Sequence, residues 1–596
     1  MIRTVIASAA VVAVFGGIGV SVIDTPSPEQ GGDRLVELLD PTYWTRSLCG
    51  ENGATRGLFF RPEFRIALAG RAEAAEGAPD EVPLWPNLGD YTYPITTDYD
   101  IVQAYFDQGI RLTFAFNHWE AIRAFKQAQR LDPNCAMCYW AEGFAHGPNI
   151  NAAMEASAVE PAFAATSKAM ALAGGASAKE KALITALSKR YSPDPDADRA
   201  ALDDAFAAAM AEVHTAYPDD QLIATLYAES VMDTTPWDYW ERDFRTPKPT
   251  VAKAIDAVKG VLEANPNHPG AIHLYIHLTE ASQSPELAEP YAERLAVQMP
   301  AAGHLVHMPG HTFYRVGRYI DSLNTNVNAV AADEAYLSQV EGSPIYRYGY
   351  YPHNVHFVLV SAQMAGDSKT ALEFADKLDA LIPIEATLEQ TWMQPIKAAP
   401  YFAKLQFGDT SDVLSLKEPG ADYPFIRGLW HYARGAALAR SGGVRAATAE
   451  AKAIAKLRKS ENMKVFNEGL VPGDDILALA QQMVEARIAQ AEGKYKKAAK
   501  LLKAAAVLQD SLAYTEPPYW YYPVRQTLGA VYLQAGDHEK AEKAFLDSLA
   551  EHPNNAWSIY GLMKAQEAAG DPAAATTAEV YKKASISKED VAIGRL

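Results

Sequence analysis

Residues 106–134 read FDQGIRLTFAFNHWEAIRAFKQAQRLDPN. The stretch is helical in its apolar periodicity, and its small and aromatic positions keep a fixed arithmetic: Gly109, Ala121 twelve residues on, Phe125 four later, then Ala128 and a closing Pro133. Such a segment is a helix-turn-helix hairpin. Short side chains let its two antiparallel helices approach closely, and the aromatic fills the gap toward the next hairpin. The same spacing returns near the other end at Gly529, Gly536, Ala541, Phe545 and Pro553. Weaker copies lie between: 250–268 ending at Pro266, 269–302 with Ala288 and Pro300, and 352–385 with Gly366, Ala371 and Pro383. Others cover 428–461 (Gly435, Ala447), 479–512 (Gly493, Ala498) and 556–589 (Gly570, Ala575).

A 34-residue period with these signature positions resembles the tetratricopeptide repeat. The expected fold is therefore all-α, a TPR α-solenoid of antiparallel helix hairpins with irregular insertions. The period breaks between His146 and Thr250, where the aromatic knot Trp237-Asp-Tyr-Trp240 lies, and again at 337–351. Insertions in a solenoid gather on one face and often carry function. The expected organisation is an N-terminal extension at 34–97, a first array at 98–385, an irregular connector at 386–427 and a second array at 428–596.

Outside the repeats, Met1 to Arg3 is a basic start and Thr4 to Ile23 is almost uninterrupted apolar sequence. With the Pro-, Ser- and Gly-rich linker that follows, residues 1–33 read as an export signal or a membrane anchor. Localisation is expected in the periplasm, or at the inner membrane facing it. Over 596 residues, 49% are apolar and 21% charged, so the chain can bury a large core. Its 54 basic and 73 acidic residues give a charge of -19, which argues against nucleic acid as a partner. Three cysteines (Cys49, Cys135, Cys138) are too few for a disulfide framework, and Tyr139 after Cys138 excludes a c-type haem motif. An oxidising compartment permits one bridge. Cys49 with Cys135 or Cys138 is preferred over Cys135-Cys138, whose short loop restricts geometry.

Eight of the 14 histidines (His268, His273, His277, His304, His307, His311, His353, His356) lie within 268–356, where even scatter would put about two. The repeat register says where they point. Counted from repeat starts at 269, 303 and 352, His273, His307 and His356 take the fifth place, His304 and His353 the second, and His277 and His311 the ninth. These places fall on one helical stripe, expected to line the concave groove, where histidines at matched places would meet across neighbouring hairpins. Glu280 extends the stripe. Neutral imidazole is the commonest transition-metal ligand, and the i, i+4 pairs His273/His277 and His307/His311 can share an ion. The candidate metal ligands are thus His273, His277, His304, His307, His311, His353 and His356. Copper, iron or zinc is favoured over oxygen-seeking magnesium or calcium. Glu280 is a candidate ligand or base, and Tyr314 or Tyr351 a candidate for electron transfer. Pro309-Gly310 either weakens the histidine-bearing helix or starts a new one, leaving His304 and His307 on a loop.

The segments FNHWEAIRAFKQAQRLDPNCAMCYWAEGFAHGPNIN (116–151), GHLVHMPGHTFYRVGRY (303–319) and YYPHNVHF (350–357) resemble a group of bacterial TPR-containing proteins without an assigned activity. That likeness spans about residues 100 to 385 and implies the solenoid and the placing of the histidines, but no reaction. Two functions follow as expectations. One is an exported solenoid holding a transition metal, acting as an oxidase, oxygenase or hydrolase. The other is a non-catalytic scaffold that takes a peptide or protein partner of the cell envelope in its groove.

Overall fold

The computed structural model describes residues 82–194, 196–467, 471–587 and 591–596. The export segment, Cys49 and most of the N-terminal extension lie outside the described residues. Within them the chain is all-α, with nothing more strand-like than two isolated bridges. No described helix is long and apolar enough to cross a membrane.

The opening hairpin, α1 (Asp100–Phe114) and α2 (His118–Leu131), shows why the signature positions matter. A Cβ on Gly109 would fall 2.2 Å from the Phe125 ring, so only glycine lets that ring seat against α1. Asn117 ends the turn by accepting from the Glu120 amide, an N-cap of the ordinary kind. Residues 82–97 are strapped along this hairpin: Trp85 donates Nε1–H to Glu120 and its amide to Gln108, while the Tyr93 amide reaches Asp107.

Antiparallel helices then follow one another: α3 (Ala136–Ala145), α4 (Val159–Leu172), α5 (Ala178–Leu187), α6 (Arg199–Ala216), α7 (Gln221–Asp233), α8 (Pro249–Ala264), α9 (Pro269–Glu280) and α10 (Glu289–Gln298). Two short pieces, α11 (Gly303–His307) and α12 (Pro309–Arg315), pack on the long α13 (Tyr319–Leu337). A π-helical turn at Tyr346–Tyr350 leads into α14 (Tyr351–Met364), α15 (Ser368–Leu381) and α16 (Ala386–Glu389). Next come α17 (Met393–Phe407), α18 (Thr410–Leu414), α19 (Pro424–Arg440), α20 (Val444–Leu457), α21 (Glu461–Asn467) and α22 (Gly473–Ala491). The solenoid ends in α23 (Tyr495–Asp510), α24 (Val524–Gln534), α25 (His538–Glu551), α26 (Ala556–Ala569) and α27 (Ala573–Ala584).

Two sequence expectations are corrected here. Residues 386–427 are no irregular connector: α17 is a full helix that carries Pro400 inside it and packs on both α15 and α19. Its prolines hide the periodicity, yet one apolar core runs without a break from Tyr314 through Phe402 to Ala544. The disulfide joins Cys135, the N-cap of α3, to Cys138 one turn later, with Cα atoms 5.4 Å apart. The helical turn supplies the close approach that the short loop was expected to restrict.

The C-terminal hairpins do not trail away from the rest. Trp557 donates its indole N–H to the Gln363 carbonyl, Tyr521 its hydroxyl to the Ala399 carbonyl, and Ile586 its amide to the Ala365 carbonyl. This return lays the segment 512–523 against α12 and α14, over the histidine-rich stretch.

Candidate metal centre

The structure gathers six of the seven candidate histidines into two buried triads: His273, His277 and His304, and then His307, His311 and His353. Within each triad one nitrogen from every ring lies within 4.8 Å of the others. The repeat register explains the grouping, though not as expected. Of the matched places only the ninth meet, His277 and His311 with ring centres 5.8 Å apart. Each triad combines places five and nine of one repeat with place two of the next, because α9 faces the start of α11, and α11–α12 face the start of α14. His356 holds place five of the third repeat, where place nine is Val360. It has no such company and packs instead near Tyr521, 6.0 Å between ring centres. His268 serves as the N-cap of α9, accepting from the Ala271 amide.

The helix carrying the second triad is split. Met308 stays in the right-handed helical region and Pro309 opens α12, so His304 and His307 sit on the short α11 rather than on a loop. Gly310 allows the tight seat on α13, since a Cβ there would come 2.4 Å from Asn326 Nδ2. Asn326 in turn donates to the Ser322 carbonyl, which leaves its Oδ1 as acceptor for His307 Nδ1–H at 2.5 Å. Gly310→Ala is therefore expected to cost about 1–3 kcal/mol and to dislodge His307. Thermal melts with and without metal check this, and the midpoint gain on loading should shrink along with the metal-free midpoint.

Hydrogen bonds fix the ring tautomers. His273 donates Nδ1–H to the Phe114 carbonyl at 2.7 Å. Glu280 spans the triads: Oε1 accepts from His277 Nδ1 at 2.6 Å and Oε2 from His311 Nδ1 at 2.5 Å. Metal-binding histidines characteristically give their second N–H to a carboxylate or carbonyl in this way, which turns Nε2 toward the ion. A neutral imidazole has one N–H. His307 and His311 both spend theirs at Nδ1, so their Nε2 atoms, 2.7 Å apart, aim lone pairs at each other. In the first triad, His304 can donate Nε2–H to His273 Nε2 at 3.1 Å, while the buried Nε2 of His277 and Nδ1 of His304 have no protein partner. Such nitrogens are free to accept a proton or to bind a cation.

Electrostatics agree. Burial pushes the pKa of His273, His304, His307 and His353 well below the ordinary value, and neighbouring imidazoles push further, so these rings are neutral and ready to ligate. For His311, burial is outweighed by the Glu280 carboxylate, and its pKa is raised. Burial works against the Glu280 charge too, but His311 and His277 hold it at about 2. When His311 is protonated, its Nε2–H points at His307 Nε2 across the 2.7 Å gap.

The histidine stripe was expected to line the concave groove, but its rings are shut away from solvent. Five of the six rings are at most 2% exposed, and only His353 is partly open. Phe116 stacks on His277 and His304, Trp237 stands edge-on to His277, Tyr350 covers His304, and Phe357 lies against His307 and His311. Phe116 and Trp237 hold positive φ angles of 53° and 65°, which bulky residues adopt only where packing enforces them. Tyr314 packs behind Phe357, and Tyr351 donates to Glu334 on the far side. From the C-terminal hairpins, the Tyr514 hydroxyl approaches Glu280 Oε2 at 3.4 Å. Phe116, Asn326, Phe357 and Tyr514 escaped the sequence reading, and only the aromatic run around 514–522 gave any signal of its own.

The chain matches no protein-family model, and no curated protein sequence is significantly similar to it. Among solved structures it is similar to human IFIT1, seen as a dimer with m7Gppp-AAAA, at 11% identity over 82% of this chain and 90% of that one, TM-score 0.30. It is similar also to yeast Tom70, at 12% identity over 82% and 92%, TM-score 0.28. Superpositions this loose carry no argument, and the solenoid assignment rests on the chain's own hairpins.

His356 provides the internal control. Both its nitrogens are buried without partners, and burial pushes its pKa to about 3. Replacing a buried, unsatisfied imidazole by an apolar side chain of similar size removes a desolvation cost of about 1–3 kcal/mol. His356→Leu should therefore raise the melting temperature, most visibly at acid pH, and leave metal content unchanged. A loss of metal in that variant would show that the triads are drawn wrongly.

Proposed function

We propose that this protein is a metalloprotein in which the two triads hold a pair of transition-metal ions, copper being the best match, and that the pair carries out oxidase or oxygenase chemistry. The observation that carries the reading is the convergence of three buried imidazoles in each triad, with ring nitrogens that have no other protein partner. Six imidazoles with no thiolate and no directly facing carboxylate form a donor set that suits copper, zinc, iron or nickel and not the oxygen-seeking ions. Copper forms the tightest complexes of that series. Three protein ligands per ion leave positions open for a small molecule, the pattern of catalytic sites.

A hydrolytic reading needs a free base beside metal-bound water. Both oxygens of Glu280 are committed to imidazole N–H groups, so Glu280 fits a positioning residue and neither a ligand nor a base. Export to an oxidising compartment is part of the proposal, supported by the Cys135–Cys138 disulfide and the apolar run from Thr4 to Ile23. A partner-binding role has its own support at the other end of the solenoid. There a cavity of 220 Å³ is lined by Arg440, Arg487 and Arg595, chemistry suited to an acidic peptide. Elemental analysis of protein purified without a histidine tag and reconstituted with copper tests the metal reading. About two ions per chain are expected, while fewer than about 0.1 would leave the scaffold.

A further inference from the structure

The cavity of 220 Å³ at the other end of the solenoid lies between α17, α19, α22 and the last residues of the chain. Arg440, Arg487 and Arg595 line it, and no carboxylate side chain does. Arg595 has Asp409 at 3.4 Å. Arg487 is bonded to the Thr527 hydroxyl and to the main-chain oxygens of Gly594 and Leu596. Arg440 differs from both. Its Nη1 and Nη2 donate to the Leu405 and Gly408 carbonyls at 2.8 and 3.2 Å, and among the described residues no carboxylate lies within ion-pair distance of it.

Carbonyls orient a guanidinium without neutralising it. A guanidinium has five N–H groups and keeps its charge throughout the pH range of proteins, so Arg440 is a fixed cation with donors to spare. Its Nε–H has no protein partner, and it is not closed off from solvent as Arg190 Nη1 is. Burial pulls the Arg440 pKa below the ordinary value, and the charges of Arg595 and Arg487 pull it further. A partly buried cation crowded by two others is relieved by an anion. The shape beside it is apolar. Tyr432, Ala436 and Arg440 follow one another at intervals of four residues and so form one stripe of α19. The small Ala436 leaves room between the Tyr432 ring and the guanidinium, and Phe402 and Leu405 of α17 face the same space.

We propose that this cavity binds a small organic carboxylic acid, its carboxylate on Arg440 and its apolar body along Ala436 toward Tyr432. A planar carboxylate matches the guanidinium fork with two parallel hydrogen bonds, and its single charge offsets the one cation that has no acidic partner. A cavity of about 150 Å³ takes benzene, so this one has room for a single ring or a short chain and not for an extended peptide. The inference narrows the partner reading of this cavity to one small acid and is independent of the metal reading.

The test is calorimetric titration of the metal-free full chain with benzoate at low ionic strength, and with benzamide as the same shape without the charge. Saturable benzoate binding at one site per chain is expected, with Kd below about 1 mM, and benzamide should bind at least about tenfold more weakly. Arg440→Gln should weaken benzoate by about tenfold or more and leave benzamide unchanged. Ala436→Leu, which fills the gap beside the guanidinium, should weaken both, and it places the site even if Arg440→Gln fails to fold. Absence of saturable benzoate binding up to about 10 mM, equal affinity for the two rings, or parental benzoate affinity in either folded variant overturns the proposal. Two further ligands separate the alternatives. Phenyl phosphate binding about tenfold more tightly than benzoate would overturn the carboxylate in favour of a phosphate ester, and a tetraglutamate peptide doing so would overturn the small acid in favour of a protein partner.

Discussion

Changing His307 and His311 together to alanine should halve the metal content, from about two ions per chain to about one, while the far-ultraviolet helical signal stays as it was. These two rings supply two of the three donors of the second triad, so His353 alone cannot retain an ion. The first triad keeps all of its donors, and His273 keeps its hydrogen bond to Phe114. The fold should survive because the facing Nε2 atoms make no apolar contact that alanine would leave open beyond the space of the two rings. Metal-free, the variant is expected to be no less stable than the parent by more than about 2–3 kcal/mol, since it loses packing but also loses a buried polar pair. Metal analysis and circular dichroism on the same sample check both halves. Retention of both ions would mean that the second triad is not a site.

Glu280→Gln should act on both ions at once. Glu280 is bonded to both triads, and partners of this kind typically cost 10- to 100-fold in metal affinity when changed. A glutamine can accept from only one of the two imidazoles and must turn its amide nitrogen toward the other, which forces that ring to the wrong tautomer. The pH dependence should change with it. In the parent, copper displaces the proton on His311, whose pKa Glu280 holds above the ordinary value, so apparent affinity weakens as pH falls through that raised pKa. The contribution of the protonated His311–Glu280 pair to metal-free stability runs the opposite way, being present in acid and lost as pH rises through the same value. Without the carboxylate, burial is opposed only by the weaker pull of Glu516 on His311, and its pKa falls. Competition between proton and copper then moves to lower pH even though the affinity at neutral pH is poorer. Copper titrations at several pH values read both effects, and a variant with parental affinity and parental pH dependence would show that Glu280 orients nothing.

The hairpin architecture was legible because Gly109 and Phe125 meet through a contact that spans only 16 residues, and local contacts leave periodic traces. The triads were half legible for the same reason. Their residues keep a register of places two, five and nine, but which places meet depends on how far one hairpin slides along the next, and no spacing within a single repeat encodes that. His356 shares its place with His273 and His307 yet lacks a partner because Val360 stands where a ninth-place histidine would be. The groups that set tautomers and close the site come from far away in the chain. The Phe114 carbonyl lies 159 residues from His273, and Tyr514 lies 234 from Glu280. Their positions follow from the return of the C-terminal hairpins, a tertiary event that periodicity does not record. The helix at 393–407 was missed for a local reason, as Pro400 is tolerated there by the surrounding core.

Two ions are expected to sit side by side, each among three imidazoles. Anomalous diffraction from crystals of the copper-loaded full chain, recorded above and below the copper edge, tests this most directly. Two peaks are expected, one among His273, His277 and His304 and one among His307, His311 and His353, each about 2 Å from its nitrogens. A map without a peak at either triad, in protein shown to be loaded, would contradict the account.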